Sequence, residues 1–295
     1  MILWVDNGNI DANIIEAQTG NIIFDNNHKV YTSGFASSKV MEVLKIKQGP
    51  DNGAVISVVD ANLQGRLVYV KKNLTIGLNG NVEGILIDKS ENNGFASTNP
   101  EVTYSDADKT FSCIYKSFDN ENKNNQAVYF QKIKMDGTEM WQNGGKTYVP
   151  LQTENQYSYF NICDLGNGKS AVHYLKYDNF TYQTNGEMTV FTKDGEVEDS
   201  KEFASMGNTK VELWTSKILS DNKIITIWDE KKSNGYSLFM NKTDLSSATA
   251  IEAPVNATYT GQRKYYTLNG LQSATLGKGI NIIRLDNGKV IKIVK

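Results

Sequence analysis

Short apolar runs follow one another along this chain, and polar loops rich in Asn, Asp and Gly separate them. Short runs rich in β-branched and aromatic residues predict β-strands rather than helices. Each unit has an apolar strand ending in an aromatic and often an acid, then a polar loop, a second strand and a turn. The strand pairs lie at residues 2–6 and 14–18, 55–60 and 67–70, 111–115 and 128–130, 171–174 and 188–191, and 224–229 and 236–240.

The units recur with a nearly constant period. Gly20, Gly80, Gly137 and Gly195 fall in the closing turns, at spacings of about 60, 57 and 58 residues. Further strands are predicted before and after the pairs, such as 102–105, 159–163, 213–218 and 146–151. Four short strands per unit without a convincing helix predict an all-β fold, a β-propeller of four-stranded blades. About five repeats are expected, the first incomplete, at approximately 1–35, 36–95, 96–153, 154–204 and 205–254.

Two features of this repeat pattern leave alternatives open. Residues 38–46 also fit a helix, because Val40, Val43 and Leu44 share helical spacing, but the repeat register favours a strand. The first unit lacks its leading strand, which would expose unpaired backbone groups. Either strands from the C-terminal region complete it, or preceding sequence supplies further blades. We favour the second, so we expect this chain to be the C-terminal part of a larger protein.

The C-terminal segment reads as strands joined by tight turns. One run ends at Asn269-Gly270, the next begins after Gly277-Lys278-Gly279, and the last follows Gly288. This order resembles the C-terminal sorting domain of the type IX (Por) secretion system of Bacteroidota. The residues that carry the resemblance are Tyr265, Tyr266, Leu268, Gly270, Gly277, Gly279, Ile280, Gly288 and Lys289.

The resemblance implies that residues 255–295 are a small antiparallel β domain and that the type IX secretion machinery is a partner. The protein would then be secreted or held at the cell surface. Within the third repeat, the order from Tyr129-Phe130-Gln131 through Asp136-Gly137 to Trp141 resembles repeats of large secreted Bacteroidota propeller proteins. The simpler alternative is that the terminal strands are a hairpin that closes the preceding fold.

Composition excludes several functions. The 295 residues carry a net charge of −2, with 39% hydrophobic content, so we expect a globular core and no nucleic-acid partner. No apolar stretch approaches the length of a transmembrane segment, and residues 1–5 do not form a secretory leader. Arg66 is the only arginine outside the tail region, where Arg263 and Arg284 lie, which argues against a sialidase-like carboxylate clamp.

Candidate metal and catalytic residues are few. Asp6, Asp60 and Asp229 occupy comparable places at strand ends and are expected to cap loops, with cation or sugar binding as the alternative. Acid-rich segments such as 106–108 read as solvated loops. We therefore expect no cofactor beyond adventitious calcium.

The histidines and cysteines suggest packing rather than chemistry. His28 and His173 lack partners at zinc-ligand spacing, and His173 is expected to pack inside a strand. Cys113 and Cys163 are expected to be buried as small apolar residues, with a bridge between repeats as the alternative.

The tyrosine-rich stretch 174–182 is the strongest candidate for a binding surface. Tyr174, Tyr177 and Tyr182 lie there beside Asp178 and Asn179, a composition suited to a glycan or protein ligand, although loop packing is the plainer interpretation. The favoured function is a non-catalytic extracellular binding or scaffold module. The alternatives are a propeller glycoside hydrolase with paired carboxylates, or an accessory domain of an enzyme whose catalytic part precedes this chain.

Overall fold

The computed structural model describes most of the chain as β-strands and turns, with two short 3-10 turns and no α-helix in the described part. The chain divides into two compact units, Met1–Ile251 and Glu252–Lys295. The segment that also fitted a helix lies outside the described residues except for Lys45 and Ile46, which belong to a strand. The described residues are 1–6, 9–32, 45–60, 64–80, 83–87, 100–119, 125–207, 214–218, 223–232, 235–244, 263–267, 272–273, 280–285 and 290–294.

Five antiparallel sheets, here called blades 1 to 5, follow one another along the first unit, and strands pair in chain order within each. Blades 1 and 5 have three strands each among the described residues, and the other blades have four. The strands are, for blade 1, β1 (Ile2–Asp6), β2 (Asn9–Asn13) and β3 (His28–Thr32); for blade 2, β4 (Lys45–Gln48), β5 (Ala54–Val59), β6 (Gly65–Val70) and β7 (Ile85–Leu86); for blade 3, β8 (Glu101–Ser105), β9 (Thr110–Phe118), β10 (Gln126–Lys134) and β11 (Lys146–Gln152); for blade 4, β12 (Asn155–Gly166), β13 (Lys169–Asp178), β14 (Thr184–Phe191) and β15 (Val197–Gly207); for blade 5, β16 (Trp214–Ile218), β17 (Lys223–Lys232) and β18 (Gly235–Asp244).

The first strands of successive blades are neighbours in space. β4 contacts β8, β8 contacts β12, and β12 contacts β16. The first strand of a blade is therefore its innermost strand, which is the arrangement of a β-propeller. This confirms the all-β propeller fold predicted from the sequence.

The turn glycines that define the repeat have the backbone conformation that their role requires. All four have positive φ, a region that glycine enters without steric cost. Their φ values are 75° at Gly20, 71° at Gly80, 84° at Gly137 and 78° at Gly195.

Four apolar clusters, one between each pair of adjacent blades, form the core of the first unit. Alternate side chains of a strand point to opposite faces, so an inner blade contributes to a cluster on each side. Aromatic rings meet across these interfaces: Phe130 stacks on Phe191 with centroids 4.2 Å apart, and Phe203 meets Trp228 edge-on at 6.4 Å. Burying each such ring contributes about 1.5–3 kcal/mol.

The second unit contains a four-stranded antiparallel sheet in the order β20-β19-β21-β22. Among the residues that carry the sorting-domain resemblance, Tyr265 and Tyr266 lie on β19, and Ile280 begins β21. Leu268, Gly270, Gly277, Gly279, Gly288 and Lys289 lie outside the described residues. The strands are β19 (Arg263–Thr267), β20 (Gln272–Ser273), β21 (Ile280–Leu285) and β22 (Val290–Val294).

Candidate functional site

The innermost strands of blades 2, 3 and 4 bring charged groups together near the propeller axis. Glu101 begins β8, and its buried carboxylate pairs with Lys45 and Lys47 of β4. Lys47 Nζ lies 2.6 Å from Glu101 Oε2 and also donates to the carbonyl oxygen of Ile162 on β12, at 3.1 Å. We call Lys45, Lys47 and Glu101 the axial ion group.

The axial ion group is better suited to holding blades together than to proton transfer. Each carboxylate oxygen of Glu101 already faces an ammonium. Two cations against one anion leave an excess positive charge on the axis. Because Lys45 and Lys47 are 38% and 29% exposed, solvent screens much of this charge.

A second polar cluster joins blades 3 and 4 where their innermost strands turn into their second strands. Lys132 on β10 is fully buried, and its Nζ donates to Asp108 Oδ2 at 2.5 Å and to the carbonyl oxygen of Gly168 at 2.7 Å. Asp108, in the β8–β9 turn, also accepts from Thr110 Oγ1 at 2.8 Å. Asp164, near the end of β12, has a buried Oδ1 for which the described part of the chain offers no hydrogen-bond partner. We call Asp108 and Asp164 the acid pair.

The environments of the acid pair displace the two pKa values in opposite directions. Burial opposes ionisation of Asp108, but hydrogen bonds from Lys132 and Thr110 outweigh it, so the pKa lies below its usual value. For Asp164 burial dominates and the charge of Asp108 adds to it, so the pKa is raised despite the opposing effects of neighbouring groups such as Lys132. One carboxyl therefore favours the charged form and the other retains its proton more readily. Acid–base chemistry uses this division.

The interpretation of residues 106–108 as a solvated loop agrees with the structure, where all three residues are exposed in a turn, but it did not anticipate the contact that Asp108 makes. The side chain of Asp106 is 84% exposed and pairs with Lys109, as expected of a solvated loop. Asp108 reaches a buried lysine on another strand. Lys132 was the available signal, because it lies in a largely apolar strand and a buried ammonium needs an acidic partner.

Tyr174 belongs to the core between blades 3 and 4 rather than to a surface. It is fully buried, which raises its pKa, and its hydroxyl lies 2.5 Å from the Tyr148 hydroxyl. The Tyr174 hydroxyl donates to Glu187 Oε2 at 2.9 Å. Because it has no exposed surface, Tyr174 does not belong with the other two tyrosines of the predicted binding surface.

Tyr177, near the end of β13, and Tyr182, in the loop between β13 and β14, do lie together. Their ring centroids are 6.4 Å apart, Tyr182 is 59% exposed, and the neighbouring Phe180 is 72% exposed. Asp178 Oδ1 accepts the backbone N–H groups of Phe180 and Thr181, both at 2.8 Å, which fixes the loop and lowers the pKa of the carboxyl. Binding by this surface stays a prediction.

Of the three strand-end acids, Asp60 has the loop-capping contacts expected from the sequence. It accepts the backbone N–H of Gln64 at 3.0 Å and pairs with Arg66 Nε at 2.6 Å. Asp6 is exposed and Asp229 is half-buried.

His173 packs edge-on against Phe203, and burial lowers its pKa to about 3, so it stays neutral. His28 lies beside Phe24. Cys113 and Cys163 are free thiols, and burial raises the pKa of both.

The described part of the chain contains no group of three or more His, Cys, Asp or Glu that could hold a metal ion. It also contains no helix of the length and hydrophobicity needed to span a membrane.

No protein-family model and no curated protein sequence matches this chain. Solved structures, in contrast, do match it. The α-L-arabinanase of Penicillium chrysogenum, complexed with arabinobiose, aligns with a TM-score of 0.53 at 11% identity, over 90% of this chain and 84% of that one. This chain is a β-propeller. The GH93 α-L-arabinofuranosidase of Fusarium graminearum also aligns with it at a TM-score of 0.53 and 11% identity, over 86% of the propeller chain and 77% of the enzyme.

Proposed function

We propose that this propeller hydrolyses glycosidic bonds and that the acid pair supplies the catalytic groups. The observation that carries the proposal is the placement of two unlike carboxyl groups where blades 3 and 4 meet: Asp108 is held by Lys132 and Thr110, and Asp164 has a buried Oδ1 with no hydrogen-bond partner among the described residues. The opposite directions of their pKa shifts agree with this difference. Glycoside hydrolysis needs one protonated and one ionised carboxyl at the same site. The likeness to structures named as an α-L-arabinanase and an α-L-arabinofuranosidase supports the hydrolytic alternative over the non-catalytic module favoured by the sequence.

In the proposed reaction, Asp164 donates its proton to the glycosidic oxygen while the bond from that oxygen to the anomeric carbon breaks. Asp108 accepts a proton from water, and the water oxygen bonds to the anomeric carbon. Water is thereby added across the bond, giving a sugar with a free anomeric hydroxyl and an alcohol. Asp108 then gives its proton to solvent, a step that the neighbouring Lys132 ammonium favours, and solvent returns a proton to Asp164, so both groups regain their starting states.

The first substrate class to test is an L-arabinose-containing polysaccharide. Both reported structural relatives are named for activity on arabinose glycosides. A neutral pentose polymer also requires no guanidinium clamp, in keeping with the single arginine outside the tail region.

The test compares Asp164→Asn with wild-type protein on arabinan, by release of reducing ends. Loss of the proton donor should lower the rate by about 10²–10⁴-fold, the usual contribution of general acid catalysis. Asp106→Asn is the matched control, because Asp106 neighbours the pair in sequence but is 84% exposed. It should keep wild-type activity.

The pH profile adds a second readout. The wild-type rate should rise as Asp108 ionises and fall as Asp164 loses its proton, which gives an optimum on the acidic side. Asp164→Asn should lose the descending limb. Equal rates for Asp164→Asn and Asp106→Asn, or no release from arabinan by the wild type, would contradict the proposal.

A second candidate function, binding without hydrolysis, is favoured by the exposed rings of Tyr182 and Phe180. Such rings suit the apolar face of a sugar or a protein ligand. The arabinan experiment separates the two functions, because retention of the polysaccharide without release of reducing ends would favour binding.

We also propose that residues 255–295 direct secretion through the type IX machinery and place the protein outside the cell. The proposal is supported by the order of motifs in the tail and by the antiparallel pairing of β19, β21 and β22. Deleting residues 255–295 from the protein expressed in a type IX-competent bacterium should leave it in the cell envelope fraction, whereas the complete chain reaches the surface or medium. Surface delivery of the deletion variant, measured by protease accessibility on intact cells, would refute the proposal.

A further inference from the structure

Blade 5 has an apolar outer face, which points away from blade 4. Ile224 of β17 points to blade 4, in the cluster that joins the two blades. Because successive residues of a strand point to opposite faces, Ile225 and Ile227 point away from blade 4. On β18 the same face continues with Leu238 and Met240, since Met240 pairs with Ile227. Leu238 and Met240 are 69% and 65% exposed, so the rest of the chain leaves both side chains largely in contact with water.

The corresponding faces of the preceding blades are packed. Each of blades 1 to 4 contributes apolar residues to a cluster with the blade that follows it. In a stacked array of repeats, the face that one repeat presents fits the opposite face of the next. The outer face of blade 5 is therefore suited to receive the kind of face that blades 2 to 5 present to the blade before them.

Blade 1 also has an outer face, which points away from blade 2. Val5 of β1 points to blade 2 in their shared cluster, so Trp4 and its cross-strand partner Asp11 point the other way. Ile2 and Asp6 lie two positions on either side of Trp4 and share its face. Ile2 is 39% exposed and Trp4 is half-buried. This face combines apolar surface with carboxylates.

The two outer faces differ in charge. Lysines predominate on the outer face of blade 5, and two of them, Lys217 and Lys231, are exposed. The described charged side chains of this face are Lys217, Lys223, Lys231, Lys242 and Asp229. On blade 1 the outer face has Asp6 and Asp11, with Lys29 opposite Asp11 in the register. Opposite charge on two surfaces favours their encounter and disfavours pairing of either surface with itself.

We propose that the outer face of blade 5 binds the outer face of blade 1 in a second copy of this chain. Blade 1 of the same chain leaves Leu238 and Met240 exposed, whereas a second copy can cover them with its Ile2 and Trp4 surface. The interface joins two different faces, so association is head-to-tail and gives a ring or an open chain of copies. The acid pair lies on blades 3 and 4, so this proposal does not depend on hydrolysis.

Sedimentation velocity of the full chain at increasing concentration measures the association. The wild type should form species larger than one chain. Leu238→Thr combined with Met240→Thr should weaken association about 100-fold, because two apolar side chains no longer contribute their burial. Threonine suits a strand, so the fold should be kept. Val197→Thr is the matched control, since Val197 is a 48% exposed apolar residue on the outermost strand of blade 4, and it should associate like the wild type.

A mixing experiment identifies the occupant of the blade 5 face. Asp6→Lys combined with Asp11→Lys places lysines opposite lysines and should also keep the chain monomeric. Each double variant retains the face that the other has lost. An equal mixture of the two should therefore form complexes of two chains and no larger, because the two altered faces do not bind each other. Restored association in the mixture also shows that both variants are folded.

Several outcomes would overturn the proposal. One is a wild type that stays monomeric at every concentration, and another is a Leu238 and Met240 double variant that associates like the wild type. Self-association of the Asp6 and Asp11 double variant, or a mixture that forms no complex, would show that the blade 5 face does not bind blade 1. None of these readouts uses arabinan, so this proposal and the proposed hydrolysis fail separately.

Discussion

At the scale of single residues, Lys116 should make folding stability depend on pH. Its pKa falls from 10.5 to about 8 in the folded protein, so between these values the unfolded chain binds more protons than the folded one. Stability should therefore rise with pH across this window, and the full cost of about 3 kcal/mol at roughly 1.4 kcal/mol per pKa unit is present below pH 8. Lys116→Met should be more stable than the wild type in urea at pH 7 and lose this dependence. A less stable variant, or equal pH dependence in both proteins, would contradict the assignment.

Residue roles could be predicted where they depend on nearby sequence. Asp60 caps its own loop, as expected of an aspartate at a strand end, because the N–H that it accepts lies four residues away. Tyr174 and Tyr182 belong to one tyrosine-rich stretch, yet one is fully buried and the other is 59% exposed. The difference depends on rings supplied by the neighbouring blade, which the local sequence does not reveal.

At the scale of the strand, alternation and turn residues predicted many positions, but the second strand of the first unit was expected at residues 14–18 and lies at Asn9–Asn13. β11 and β16 lie where a trailing and a leading strand were expected, because each run is bounded by turn residues. The leading strand of blade 2 was expected to end at residue 46, but β4 spans Lys45–Gln48. Its sequence alternates Lys with Ile, and the lysines are half-buried by an axial contact with Glu101 that no local pattern contains.

The pairing of β10 with the β8–β9 turn gives a prediction at the same scale. Asp108→Asn should destabilise the first unit by about 3–5 kcal/mol, because it leaves the fully buried Lys132 without its counter-charge. Asp108→Asn combined with Lys132→Met should recover most of the loss, since no buried charge then remains unpaired. Urea unfolding of the three proteins measures the effect. A double variant as unstable as Asp108→Asn would show that the ion pair is not its source.

At the scale of the whole molecule, the period of about 60 residues was enough to predict the propeller, because each repeat builds one sheet. The same reasoning could not find the acid pair. Asp108 and Asp164 belong to adjacent blades and approach only when those blades pack. Lys132 contacts Gly168, 36 positions along the chain. Such sites depend on the stacking of repeats rather than on the pattern within one.

The four apolar clusters imply that each blade of the first unit is held mainly by the blades next to it in the chain. Within the described residues, blades 2, 3 and 4 each share two clusters, whereas blades 1 and 5 each share one. A stacked array of this kind loses its terminal members first, since releasing one breaks a single nearest-neighbour interface. The axial ion group and the acid pair both lie on blades held from two sides, so fraying at either terminus would leave them intact.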